Sequence, residues 1–125
     1  LTQYKGDRCV IDLKTCPNAS MDEFSRKIFK MGYHIQEAFY RHGLAANDLP
    51  VAHFFFVAVE SSPPHDVAVY HLDPGAIDAA ENAIADAIRI YKKCQKDKTW
   101  PGYPAVPQLV LCPAWIACDD REESR

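Results

Sequence analysis

Residues 51–60 read Val-Ala-His-Phe-Phe-Phe-Val-Ala-Val-Glu, an almost unbroken apolar and aromatic run. At this length the run is far too short to span a bilayer as a helix, which takes about 20 residues. Continuous apolar character over this length predicts a central strand covered on both faces. The rest of the chain must therefore supply partner strands and helices to pack on them.

The neighbouring segments supply both. Residues 8–14 alternate, with Cys9, Ile11 and Leu13 on one side and Val10, Asp12 and Lys14 on the other, which is the period of a strand. Pro17 and Asn18 end it. Residues 1–4 read as the end of another strand, joined to it by the turn signal Lys5-Gly6-Asp7. If that turn closes a hairpin, Tyr4 lies opposite Arg8 and Leu1 opposite Ile11. Ser20 with Glu23 three residues on predicts a capping box, opening a helix that shows Phe24 and Ile28 on one face to about Lys30. After Gly32 a second helix is expected from Tyr33 to His42, with Gly43 as its stop. Residues 61–65 form a turn, and residues 66–72 are expected to pair antiparallel with the central strand. Pro74 starts the longest helix, to about Lys96, with Ile77, Ala80, Ile84, Ile88 and Tyr91 as its apolar stripe. Residues 100–107 read as an ordered loop, residues 109–111 as a short strand, and Pro113 as the start of a last helical turn. The order predicts an α/β or α+β layer of helices on a mixed sheet.

Composition narrows the chemistry. The 125 residues suit one domain or a piece of one, and the first is Leu1 rather than Met, as in a processed chain or a fragment. The five cysteines (Cys9, Cys16, Cys94, Cys112 and Cys118) are odd in number and show no C-x-x-C spacing, so reduced thiols in a cytosolic protein are expected. No H-x-x-x-H pattern offers a zinc site. The net charge of −3 argues against binding nucleic acid by bulk charge, yet Lys14, Arg26, Lys27, Lys30 and Arg41 concentrate in the first third. On helices such a cluster also suits a plain solvated face.

Asp12 and Lys14 stand two apart on the alternating strand, so both project to one side, roughly 7 Å apart at Cα. A carboxylate there can bind a hard cation, and the Leu13 carbonyl at the strand edge can add an oxygen. The ammonium can stabilise charge on a phosphate or orient a water. Together they suit phosphodiester hydrolysis. D-x-K alone is a weak signal that an exposed ion pair explains equally. Gln36 and Tyr40, at i and i+4, share a helical face and can hydrogen-bond a phosphate or a base edge; Tyr40 in the core and Gln36 in solvent is the ordinary alternative. The Trp100-Pro101-Gly102-Tyr103-Pro104 segment offers rings to stack on bases or a rigid lid. His53 reads as a core histidine, and Glu60 as a strand end or a group facing the site.

Taken together, Ile11-Asp12-Leu13-Lys14-Thr15, Phe24 and Tyr33-His34-Ile35-Gln36-Glu37-Ala38-Phe39-Tyr40 resemble the exodeoxyribonuclease VIII (RecE-type) nuclease domain. That domain belongs to the PD-(D/E)XK superfamily and carries a Q-x-x-x-Y motif. The likeness extends through the strand from Phe54 to Glu60, the Pro63-Pro64 turn, Trp100-Pro101-Gly102-Tyr103 and Leu111-Cys112-Pro113-Ala114-Trp115. It implies a restriction-endonuclease-like mixed sheet flanked by helices, truncated at its N-terminus, with a catalytic domain over residues 1–118 and a disordered tail over 119–125. It further implies that Asp12 and the Leu13 carbonyl hold Mg²⁺ or Mn²⁺, that Lys14 is the catalytic lysine, and that Gln36 and Tyr40 position the DNA strand. The implied activity is 5′ to 3′ digestion of linear double-stranded DNA ends during recombination. A single-strand annealing protein is the implied partner, a toroidal homo-oligomer the implied assembly, and the cytoplasm of a bacterium or phage-infected cell the implied setting. No membrane is involved. The family pattern has a further acidic ligand on the preceding strand and a His or Glu on an earlier helix. Neither has a match here, and the hairpin geometry expects the missing carboxylate just upstream of Leu1. Two other readings stay open: a non-catalytic remnant that binds DNA or assembles, and an unrelated α/β binding domain with an accidental D-x-K.

Overall fold

A computed structural model of the chain describes residues 1–113. The chain divides into two compact units, Leu1–Lys93 and Cys94–Arg125. The first unit carries a four-stranded mixed sheet in the order β1 (Thr2–Tyr4), β2 (Asp7–Cys16), β3 (His53–Glu60), β4 (Val67–Tyr70). β2 and β3 run parallel, and the outer pairs are antiparallel. The crossover between β2 and β3 consists of α1 (Met21–Lys30) and α2 (Tyr33–Ala45); α3 (Pro74–Asp97) follows β4. This is the α/β architecture expected from the order of apolar runs.

The core lies between one face of the sheet and the crossover helices. Phe54, Phe56 and Ala58 of β3 pack with Cys16, Ala19, Phe24 and Ile28, and Val10, Tyr33 and Tyr70 close around them. Phe24 stacks on Tyr70 at 5.1 Å between ring centroids, and Phe56 on Tyr33 at 6.1 Å. Ala38 of α2 meets Ala80 and Ile84 of α3 in a second, smaller cluster. Asp73 caps α3 by accepting the Ala76 N–H at 2.7 Å.

Several local expectations are corrected. Among the described residues, β3 is fully covered on one face only. Phe54, Phe56 and Ala58 are buried, while Phe55, Val57 and Val59 are half-buried. On that second face Ile11, Leu13, Val67 and Val69 are 54–65% exposed. The β1–β2 turn has two residues, Lys5 and Gly6, both at positive φ (51° and 91°), so Tyr4 pairs with Asp7 and Thr2 with Cys9, one residue from the expected register. Ser20 is the N-cap of α1 but makes no side-chain cap, and the return half of the box is absent too: the Ser20 N–H donates to Asn18 Oδ1 at 2.8 Å, and Glu23 pairs with Arg26 at 2.7 Å. α2 continues through Gly43 to Ala45. The chain turns away after it at Asp48 (φ 58°), and the Leu49 N–H bonds back to the Leu44 carbonyl at 2.9 Å. On α3 the stripe is buried at Ala80 and Ile84, whereas Ile88 and Tyr91 are about half exposed.

In the second unit, residues 98–113 form neither helix nor strand, so the short strand expected at 109–111 is absent. The last helical turn expected from Pro113 onward and the tail at 119–125 lie outside the described residues. Cys9, Cys16, Cys94 and Cys112 are free thiols. Among the described residues, no helix is long and apolar enough to cross a membrane.

Candidate active site

β2 sets the site through its alternation. The residue pairs Asp12–Phe56 and Lys14–Ala58 place the carboxylate and the ammonium on the same sheet face as the buried core, under α2. Both side chains are only 15–16% exposed. Lys14 Nζ lies 2.9 Å from Asp12 Oδ2. It donates to Gln36 Oε1 at 2.8 Å and sits 4.3 Å from the centroid of the Tyr33 ring. Gln36 Nε2 in turn donates to the Tyr40 hydroxyl at 3.0 Å. Asp12, Lys14, Gln36 and Tyr40 thus form one connected line from strand to helix. Tyr40 stays about half exposed rather than entering the core.

The backbone explains why Gln36 reaches Lys14. Gly32 ends the α1–α2 corner in the left-handed region (φ 70°), where a residue with a Cβ is strained. Its carbonyl accepts the Gln36 N–H at 3.0 Å, so the corner fixes the first turn of α2. Tyr33, the first residue of that turn, is not one that the sequence alone marks as functional. Its ring forms the floor under the ammonium, and the aromatic–lysine pairing becomes visible only once strand and helix are packed.

The second edge of β2 is open near these residues. The Arg8 and Cys16 carbonyls accept from Ala52 and Ser61, on the β3 side. Carbonyls two apart on a strand point the same way, so the carbonyls of Leu13 and Thr15 point away from β3. Pairing with β1 stops at Cys9, so no described strand covers that edge beside Asp12. The Thr15 carbonyl accepts from Lys27 Nζ of α1 at 2.8 Å, which leaves the Leu13 carbonyl facing outward beside Asp12.

The residues fit a divalent cation only as a partial set. Asp12 Oδ2 is buried and near Lys14, but the approach is off the hydrogen-bond line, so that oxygen has no hydrogen-bond donor. The Lys14 ammonium already offsets its charge, and a divalent cation would add a ligand bond to a lone pair that no donor engages. Mg²⁺ typically takes one or two carboxylates and completes its shell with water and substrate phosphate. Asp12 and the Leu13 carbonyl match that habit. Among the described residues, no group of three or more His, Cys, Asp or Glu side chains could hold a metal ion.

Other marked residues lie elsewhere. Glu60 accepts the Ala19 N–H at 3.0 Å and secures the entry to α1. His53 stacks on Phe55 (5.8 Å) and meets Tyr4 edge-on, and is 37% exposed, so it is a rim residue and not a core one. Arg41 leaves the basic cluster altogether. Its Nε and Nη2 both meet Oε1 of Glu37 at 2.9 Å, and its Nη1 donates to the Val51 carbonyl at 3.1 Å. Glu37 is 2% exposed, and its Oε2 has no partner. Burial therefore pushes the Glu37 carboxyl above its ordinary 4.5, against the hydrogen bond and charge of Arg41 and the charge of His71.

A stability consequence follows from that buried acid. A raised carboxyl pKa means the native state holds the proton more tightly than the unfolded chain. The stabilising contribution is therefore full below pH 4.5 and is lost as pH rises through the native value. Denaturant unfolding of the wild type and Glu37→Gln across pH 4 to 8 reads this directly, because other titrations cancel in the difference. The variant should gain on the wild type as pH rises from about 4.5 and then level off. A difference that shrinks with pH would contradict the assignment.

A model of a PDDEXK-like domain of unknown function (DUF3799) matches residues 3–107. The chain belongs to this PDDEXK-like family. The match spans all four strands and all three helices, and the mixed sheet with its flanking helices fits the restriction-endonuclease-like fold. No curated protein matches the chain. Membership points to nuclease-type hydrolysis, and nucleases of this superfamily generally use divalent metal ions.

Proposed function

We propose that this domain hydrolyses phosphodiester bonds of linear double-stranded DNA as a Mg²⁺- or Mn²⁺-dependent exonuclease of the RecE type. The observation that carries the reading is the Asp12–Lys14–Gln36–Tyr40 line, which joins a cation-binding carboxylate to an ammonium and two DNA-reaching groups.

When bound, the metal supplies Lewis acidity toward the phosphate and lowers the pKa of a coordinated water. Asp12 and the Leu13 carbonyl would hold it. Lys14 faces the same space, held in position by the Gln36 amide and the Tyr33 ring. From there its charge opposes the negative charge that builds on the phosphate oxygens. Gln36 ties that ammonium to Tyr40, whose half-exposed hydroxyl is available to the DNA strand. An apolar cleft of about 470 Å³ between Val10, Phe39, Tyr40 and Leu44 opens beside Tyr40 and offers room for a terminal nucleotide. The 5′ to 3′ direction, the role in recombination, the annealing partner, the toroidal assembly and the cytoplasmic setting rest on the RecE resemblance.

One observation favours a second reading, a domain that keeps the fold and binds DNA without cutting it. Among the described residues, Asp12 belongs to no group of three or more His, Cys, Asp or Glu side chains that could hold a metal ion. One experiment separates the two. Calorimetric titration of Mg²⁺ or Mn²⁺ into the wild type and Asp12→Asn is paired with digestion of a linear duplex. The nuclease reading expects metal binding that Asp12→Asn removes, together with digestion that a chelator stops. Metal-independent DNA binding without digestion supports the second reading.

A further inference from the structure

A groove of about 440 Å³ runs between the end of β2 and the outer side of α1. Cys16, Pro17 and Asn18 form one wall; Arg26, Lys27, Lys30 and Met31 form the other. We infer that this groove binds backbone phosphates of the same DNA strand whose scissile phosphate lies at Asp12 and Lys14. The inference rests on the nuclease reading and adds to it the path by which the strand leaves the site.

Three observations carry it. First, the groove and the site share an edge. Lys27 Nζ sits on the Thr15 carbonyl, two residues along the open edge of β2 from the Leu13 carbonyl. That is roughly 7 Å at strand rise. Second, the charge is one-sided. Arg26, Lys27 and Lys30 are three cations on one and a half turns of helix, and Glu23 is the one acid in the lining. Glu23 is bound by Arg26, so it offsets that residue, while Lys30 has no ion pair among the described residues. Third, of the cluster Lys14, Arg26, Lys27, Lys30 and Arg41, only Arg41 is committed to buried Glu37. The other four line this groove or the site, on a chain whose net charge is −3. Bulk attraction to DNA is weak on such a chain, so a local track of cations is where phosphate contacts can be made.

The bland explanation is that Lys27 and Lys30 only complement the negative end of the α1 dipole. It predicts an effect on stability and none on DNA. The test is fluorescence-anisotropy binding of a labelled 20-base-pair duplex in Ca²⁺, in salt from about 50 to 200 mM. It compares the wild type, Lys30→Gln and the double variant Lys27→Gln/Lys30→Gln. Each lost phosphate contact removes about 0.9 from the slope of log affinity against log salt. The wild type should then lose about tenfold more affinity than the double variant over that range, and Lys30→Gln should fall between them. Lys30→Gln keeps the test sound if loss of the Lys27–Thr15 bond weakens folding, because the Lys30 side chain makes no hydrogen bond or ion pair among the described residues. Equal slopes for wild type and Lys30→Gln, with binding and digestion intact, overturn this inference and leave the nuclease reading standing. A wild type that neither binds nor digests the duplex overturns both.

Discussion

Lys14→Ala is expected to lower metal-dependent turnover of linear DNA by at least about 10²-fold while leaving metal binding in place. The magnitude is that of removing one preorganised charge or donor from a developing oxyanion. Lys14 contributes a full charge, held in a pocket only 15% exposed, where it is weakly screened. Its position is fixed by Gln36 at 2.8 Å and by the Tyr33 ring at 4.3 Å, so little ordering remains to be done when substrate arrives. The measurement is initial rate on a linear duplex at saturating Mg²⁺, with metal affinity followed by calorimetry on the same protein. Turnover in the variant within a few-fold of wild type would remove the ammonium from the chemistry. Loss of metal binding would reassign Lys14 to a structural partner of Asp12.

The second large effect is on stability. Phe56→Ala should cost about 3–5 kcal/mol, the range for deleting a buried aromatic ring. Phe56 is fully buried, stacks on Tyr33, lies 5.2 Å from the Phe54 ring, and pairs with Asp12 across the sheet. Domains of this size have roughly 5–15 kcal/mol in all, so the variant should unfold at much lower urea with its m-value unchanged. A midpoint within error of the wild type would mean that the cluster around Phe24 and Phe56 is not the principal core. Because the same ring stacks on Tyr33, the candidate site under α2 rests directly on the buried core.

Reading β2 from sequence works because its alternation carries two independent messages. Asp12 and Lys14 point inward although both are charged, and Ile11 and Leu13 point outward although both are apolar. A strand chosen for burial alone would have the opposite pattern, and that inversion is what makes Asp12 and Lys14 candidates for a site. The i, i+4 relation of Gln36 and Tyr40 is equally local, and the structure brings Gln36 to Lys14 and Tyr40 to Gln36. What could not be read depends on long-range packing. Apolar residues on β3 look alike whether a helix covers them or neighbouring strands merely flank them, so Phe55 and Val57 passed for core. Glu23 had two partners in range, and sequence does not say that Arg26 wins over the Ser20 backbone. Lys5 at positive φ gives no compositional sign, so the hairpin register came out one residue long. Glu37 and Arg41 are polar residues at helical spacing, and only the packed structure turns them from a solvated pair into a buried one.

The left-handed corner at Gly32 makes main-chain geometry a participant in the chemistry. Its carbonyl grips the main-chain amide of the residue that steadies the lysine, so the first turn of the helix starts from one residue without a side chain. Any heavier residue there would have to leave the left-handed region or carry roughly 1 kcal/mol of strain. Relief of that strain would swing α2 and draw the amide off the ammonium, silencing the site from a position that touches no reacting atom.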